Sequence, residues 1–351
     1  MDFTFSEDQL LFQQTVRDFL VSEVTPQRIR ASWETDSGRD PKLWDQLTEM
    51  GLVGMTAPET WGGLGLSELD FVLLARECGY VALPEPLVHT ALVAVPMLGA
   101  LGGELAQRWL PAIAAGEATV IVGLEQNLLL EDAHRADLLL IQRGDALYAL
   151  NPEQCKLRHN ESVDPSRKLY AVEICDSAEP ISTGAPVQAF TTAALNRGAL
   201  GCAAQALGLA QRMVDLSVQY TTDRNQFGKP IGSFQAVKHH MANIAVRLEY
   251  AGAPVARAAY SIANSEPGAS RHVSHAKLVA CEAASLAAKN CIQVHGAMGY
   301  TWEVDLHIYM KKAWALNNTW GDAGFHKNRV SSWIFSPDAK LGAGSTFPSG
   351  A

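Results

Sequence analysis

No two cysteines in this chain are spaced as C-x-x-C. The six present, Cys78, Cys155, Cys175, Cys202, Cys281 and Cys291, are scattered. That spacing suggests neither a zinc site nor a disulfide framework, so no metal is expected and the thiols read as those of a reduced, cytoplasmic protein. An excess of positive charge is also missing. The formal net charge is -9, which argues against non-specific binding to nucleic acid or anionic lipid. The opening Met1-Asp2-Phe3-Thr4 has no basic segment and no long apolar run behind it. Neither a signal peptide nor a membrane span is therefore expected. Internal repeats are absent. What is present is length and apolar content: 351 residues, 48% hydrophobic, enough for a large core in two or three domains.

Residues 1–117 read as helices. Ser6-Glu7-Asp8-Gln9 is a capping box, followed by Phe12, Val16, Phe19 and Leu20 at helical spacing, and Pro26 is expected to end the pattern. Pro41 opens a second helix that stops near Gly51. Ser67 and Asp70 pair to open another, ending at Gly79. Two short helices then lead to Pro111. Residues 118–189 change to β-like runs at 119–122, 138–141, 146–150 and 169–174, with a turn at Arg143-Gly144-Asp145. Residues 190–335 carry alanine-rich helices at 193–220, 234–264, 272–294 and 305–318, broken between 224 and 232. Pro254 is expected to kink the second of these. Long helices joined by short loops argue a four-helix bundle. The Gly, Ser and Pro of 336–351 suggest a disordered tail. The expected fold class is mainly α, with a small β domain between an N-terminal helical domain and a C-terminal bundle.

Two segments of the bundle stand out. One is Arg224-Asn225-Gln226-Phe227-Gly228-Lys229-Pro230-Ile231, continued by Gly232-Ser233-Phe234-Gln235. The other is Gln293-Val294-His295-Gly296-Ala297-Met298-Gly299-Tyr300. Arginine forms bidentate, charge-assisted bonds to phosphate oxygens, and glycine lets backbone N–H groups approach them. Such a set suits the diphosphate and adenine of a dinucleotide. In this order, on a helix-rich C-terminal half, the segments resemble the acyl-CoA dehydrogenase family of flavoproteins. The resemblance covers nearly the whole chain and is strongest from about 197 to 330. It implies FAD as cofactor, an acyl-CoA thioester as substrate, and the three-part layout above. It further implies that Arg224 bridges the diphosphate and that Gln226, Phe227 and Gln235 line the adenosine end. Gln293, Gly296 and Ala297 would face the dinucleotide held by a neighbouring subunit. Each has a plainer reading: Arg224 as a solvated arginine, Gly296 as a helix C-cap. His295 reads as a packed histidine, Lys277 and the alanines of 283–288 as bundle packing, and Glu303 as a helix-entry residue.

The departures from the family are more telling. The resemblance implies a carboxylate that removes an α-proton while hydride leaves Cβ for the flavin. Family members carry that glutamate in a Tyr-Glu-Gly-Thr motif or in a Leu-Glu-Arg step. Aligning Lys312-Ala313 with the family's Asp-Ala puts Thr319-Trp320-Gly321-Asp322 at the first place, with Trp320 where the glutamate belongs. The second reads Leu195-Asn196-Arg197, with Arg197 proximal to substrate. An amide cannot take a proton at neutral pH. The Thr-Glu-Pro…Gly-Ser-Asp and Trp-Ile-Thr-Asn segments that hold the flavin ring are also missing. In place of the first stands Gly123-Leu124-Glu125-Gln126-Asn127-Leu128.

This pattern resembles the non-catalytic subunit of heterotetrameric bacterial acyl-CoA dehydrogenases that shorten steroid side chains. The expectation is a subunit that contributes part of an FAD site beside a homologous catalytic partner in an α2β2 assembly. Two alternatives stay open: a self-sufficient dehydrogenase with Asp322 as a displaced base, and a non-redox scaffold or acyl-CoA-binding module. The acyl group is not encoded at this level.

Overall fold

The structure, a computed structural model, describes residues 4–127, 129–340 and 342. Leu128 and most of the expected tail, residues 341 and 343–351, lie outside the described residues, as do Met1, Asp2 and Phe3.

Helix α1 (Glu7–Glu23) opens on the expected capping box, with Ser6 and Gln9 exchanging side-chain and backbone bonds. α1 ends ahead of Pro26, as expected, and Pro26 opens a further helix. It sits in the first turn of α2 (Pro26–Trp33) behind the Thr25 cap, where a missing N–H costs nothing. α3 (Pro41–Glu49) stops before Gly51, at φ +73°. α4 (Glu68–Tyr80) opens on the Ser67–Asp70 box and ends one residue beyond Gly79. Gly79 and Gly208 mark a close helix crossing. A methyl on Gly79 would overlap the backbone of Gln205, and one on Gly208 would overlap that of Arg76. Beyond it, α5 (Leu87–His89) runs through a π turn (Thr90–Ala94) into α6 (Val95–Leu101). α7 (Gly103–Ala114) carries Pro111 inside it.

The β region is two small sheets. Strands β1 (Val120–Gly123), β3 (Leu138–Arg143), β4 (Ala146–Leu150) and β7 (Ser182–Thr183) form one, and β2 (Leu129–Glu131), β6 (Leu169–Ile174) and β5 (Cys155–Asn160) the other. β1 and β3 are parallel. The expected β3–β4 hairpin turns at Gly144, at φ +59°. β2, β5 and β7 were not anticipated: β2 and β7 are very short, and β5 reads Cys-Lys-Leu-Arg-His-Asn, too polar to register as a strand.

α8 (Ala185–Asp223) begins eight residues before the expected 193. The α8 chain is followed by the hairpin β8 (Asn225–Gln226) and β9 (Lys229–Pro230), then α9 (Gln235–Ala263), α10 (Ala269–His295), α11 (Leu306–Asn317) and α12 (Ala323–Ile334). α9 continues through Pro254. α8, α9, α10 and α11 pack on one another, and α4 lies along α8. Ala199, Ala203, Ala206 and Ala210 of α8 and Ala276, Ala280, Ala284 and Ala287 of α10 are all buried, a small-residue seam at helical spacing that lets these long helices approach closely. The fold is mainly α with a small β region. No helix among the described residues is long and apolar enough to cross a membrane.

Candidate functional site

The Arg224 and Gln293 segments meet at one end of the bundle. Tyr220, in the last turn of α8, stacks on His295 at 4.2 Å and donates its hydroxyl to the His295 carbonyl at 3.3 Å. His240 near the start of α9 bonds Asn290 near the end of α10 at 2.9 Å. These contacts place the start of α9 and the ends of α8 and α10 together. α10 ends at Gly296, with φ +61° and ψ -137°, a conformation open to glycine but not to residues with a side chain. Burial draws the His295 pKa down, so this ring is neutral and packed. No cluster of three or more potential metal ligands exists among the described residues.

Arg224 leaves α8 in an extended conformation, and its carbonyl accepts the Ile231 N–H at 2.8 Å. The hairpin turns on Phe227 and Gly228, at φ +55° and +79°, the double left-handed geometry of a tight two-residue turn. Phenylalanine there is strained. Its ring meets Phe234 edge-on at 6.1 Å, and Lys229 lies over Phe234 at 4.4 Å. Even so, Phe227 is 90% exposed. Arg224, Gln226, Gln235, Gln293, Gly296 and Ala297 are exposed too. α9 has no side-chain cap at its N-terminus, which leaves unpaired N–H groups and the positive dipole end beside Gln235. With Arg224 and Lys229 this edge suits a diphosphate. The adjacent groove, about 480 Å³, does not: Asp223, Glu303 and Asp305 line it with Arg224. Asp305 pairs with Arg30 of α2.

Trp320 lies elsewhere, where bundle, N-terminal helices and β region converge, and Asn196 lies within the bundle, facing α10 and α12. Asn196, 7% exposed, donates to Ser270 Oγ at 3.0 Å and accepts from Arg329 Nη2 at 2.8 Å. Arg197 is paired with Glu68 at 2.7 Å. Trp320, 5% exposed, rests over Gly198 with His89 at 5.6 Å. Asp322 caps α12, accepting the Phe325 N–H at 2.8 Å. It lines a groove with His275, Glu282 and Lys327 rather than the chamber beside Trp320.

Arg329 has one guanidinium nitrogen buried without a hydrogen-bond partner, and burial lowers its pKa. No carboxylate pairs with it among the described residues. An acid at position 196 would supply one. Asn196→Asp is therefore expected to keep or raise the thermal midpoint, and Asn196→Leu, which orphans both partners, to cost roughly 1–3 kcal/mol. Scanning calorimetry of the two variants checks this; a lower midpoint for Asp than for Leu would contradict an uncompensated Arg329.

Sequence reasoning missed a buried charge network at the same junction. Arg39, ahead of α3, binds Glu131 at 2.8 Å and also Asp132, and Arg167 binds Glu131 at 2.8 Å. Lys312 of α11 reaches Asp164 at 3.2 Å. Burial works to raise Glu131, but Arg167, Arg39 and Lys312 outweigh it and hold the carboxyl well below its usual range. One local signal existed: Lys312 stands where the resemblance carries an aspartate. The remaining partners are too far apart in sequence to leave a pattern. His89 adds a further tie, accepting the Val122 N–H at 3.0 Å. The chamber left at this junction is only about 60 Å³, lined by His89, Glu131, Arg167, Gly198, Lys312 and Trp320 among others. That is far below the roughly 300–1,000 Å³ of a cofactor pocket.

Comparison with known proteins agrees with this architecture. The models for the acyl-CoA dehydrogenase N-terminal domain and C-terminal domain match residues 6–117 and 188–335. Acyl-CoA dehydrogenase IpdE2 of Mycobacterium tuberculosis is 32% identical, covering 88% of this chain and 91% of its own length. The IpdE2 of Mycolicibacterium smegmatis is 30% identical over 94% of this chain and all of its own. Among solved structures, the ChsE4-ChsE5 complex from Mycobacterium tuberculosis superposes with a TM-score of 0.84 at 22% identity, over 96% of this chain and 100% of that chain. A variant of the Tcur3481-Tcur3483 steroid ACAD superposes with a TM-score of 0.80 at 22% identity, over 93% of this chain and 97% of that one. The fold is that of an acyl-CoA dehydrogenase. This chain belongs to the acyl-CoA dehydrogenase family.

Proposed function

We propose that this chain is a subunit of an FAD-dependent acyl-CoA dehydrogenase, assembled with a homologous catalytic subunit that supplies the carboxylate base. The observation that carries this reading is the state of the two base positions. Trp320 and Asn196 are buried and held by neighbours, and neither can accept an α-proton. Asp322 is engaged as a helix cap. A chain in this condition needs a carboxylate from elsewhere.

FAD fits this chain in part. The exposed edge of Arg224, Gln226, Phe227, Gln235, Gln293, Gly296 and Ala297 suits the diphosphate and adenosine end, and it is open to a second chain. The inter-domain chamber is too small for the flavin ring. When bound, FAD would supply the acceptor for hydride. This chain's part is to grip the nucleotide end with the Arg224 guanidinium and the uncapped start of α9. The partner reading gains support from the ChsE4-ChsE5 complex, and a steroid side-chain thioester as the substrate class from the steroid ACAD among the fold neighbours. An α2β2 stoichiometry is part of the proposal.

Arg224→Ala in the assembled complex tests the edge. A charge-assisted contact contributes roughly 1.5–3 kcal/mol, so FAD binding is expected to weaken about tenfold or more with folding unchanged. Dialysis followed by flavin absorbance reads the loss. Full retention of flavin would make Arg224 a surface residue only. A complex that stays colourless with every homologous partner would favour a non-redox scaffold.

A further inference from the structure

Trp320 does more than stand in for an acid. Its backbone is left-handed, at φ +59°, a conformation that a bulky residue adopts only when its surroundings hold it there. Three elements do so. The Trp320 carbonyl is bound by His326 Nε2 at 3.0 Å, and His326 is anchored through Nδ1 to Ser274 Oγ at 3.0 Å. The His89 ring lies 5.6 Å from the indole at 34°. The third is a missing atom. A methyl on Gly198 would fall inside the indole ring, so only glycine admits it at this point of α8. Gly198 needs no special backbone conformation, since it lies within the regular α8. Its lack of a side chain is explained by the ring above it. The ring in turn closes the wall of the small chamber that Glu131, Arg167 and Lys312 border.

We propose that this junction is a binding slot for a planar aromatic ring, held shut by the chain's own Trp320, with Gly198 as the recess that receives the ring. The slot is a property of the chain by itself. Its consequence rests on the partner-subunit reading: with the slot filled, a flavin ring or acyl group in the assembly is confined to the partner's chamber. The slot is formed by Gly198 below, His89 beside and the His326–Ser274 support behind, and each has a tie besides the indole: Gly198 lies within α8, His89 accepts the Val122 N–H and His326 is bonded to Ser274. Removing the indole should therefore leave a ring-shaped vacancy rather than a collapsed core, as apolar cavities in close-packed interiors commonly do.

The test uses the isolated full-length chain, without flavin or partner, and indole as the probe. Trp320→Gly is expected to lower the thermal midpoint. Saturating indole should then raise that midpoint by about 2 °C or more, through preferential binding to the folded state, and should leave the unaltered chain unmoved. A folded Trp320→Gly chain whose midpoint ignores indole would overturn the slot. Should Trp320→Gly fail to fold, the recess is read from the other side. Gly198→Ala is expected to lower the midpoint strongly in the unaltered chain, and little once Trp320 is shortened to Ala, since the two share one space. Equal effects of Gly198→Ala in both backgrounds would overturn the pairing. None of these readouts involves turnover or flavin content, so a failure of the partner-subunit reading would leave them intact, and the reverse.

Discussion

Purified alone, this chain is expected to oxidise no acyl-CoA thioester, and co-production with a homologous subunit that carries the glutamate is expected to restore turnover. The argument is chemical. Removing a proton α to a thioester needs a positioned base, and such a base contributes at least about a hundredfold and up to about 10⁴-fold in rate. The indole of Trp320 has no lone pair to offer, and the Asn196 amide is held between Ser270 and Arg329. Arg197 is neutralised by Glu68. A ferrocenium-type acceptor assay on the chain alone and on the complex reads both outcomes. Asp322→Asn serves as the control in the complex. Asparagine also caps helices, so the substitution should cost well under the roughly 0.5–2 kcal/mol of a cap lost to alanine and leave turnover near normal. Turnover by the chain alone, abolished by Asp322→Asn at normal stability, would replace the partner-subunit reading with a self-sufficient enzyme.

Acidification should destabilise the fold through its buried histidines. Burial pulls His89 and His326 down to about 4. In the unfolded chain both return to about 6.5. Between these values the unfolded state binds protons that the native state refuses, so stability falls as pH falls. The slope is at most about 1.4 kcal/mol per pH unit for each histidine. Two together remove up to about 4 kcal/mol between pH 6.5 and pH 5. Urea unfolding at pH 7, 6 and 5 measures this, and His326→Gln should flatten part of the slope. A stability that stayed level from pH 7 to pH 5 would mean that both rings are hydrated and free to ionise. Since His326 holds the Trp320 carbonyl and His89 lies against its ring, the same titration should loosen the loop that carries Trp320.

Much of the fold was legible because it is written in local chemistry. Ser6 with Gln9 and Ser67 with Asp70 are capping boxes whose bonds close within one turn, and Gly144 turns the β3–β4 hairpin by its own φ. Local signals were incomplete where one residue serves two elements. Pro26 ends one helix pattern and begins another with the same ring, because the first turn of a helix needs no N–H. Gly79 stands one residue from the end of α4, and it is also a contact point for a helix far away in sequence. β5 was hidden by its charge, since only Cys155 and Leu157 of this edge strand pack on a core.

The sequence by itself determined the chemistry available: which residues stand at positions 196 and 320, that neither is an acid, and that an arginine and glutamines flank glycine turns in the bundle. Those facts are matters of identity and order, and no folding changes them. Tertiary structure alone decided where those residues meet. It brought Arg224 and Gln293 to one exposed edge through Tyr220 and His295. It joined Arg39, Glu131, Arg167 and Lys312 into one buried network and set Trp320 into the recess of Gly198. These partners lie far apart along the chain, so no spacing encodes them. Only the crossing of helices and sheets brings them within the few ångströms over which hydrogen bonds, ion pairs and van der Waals contacts act.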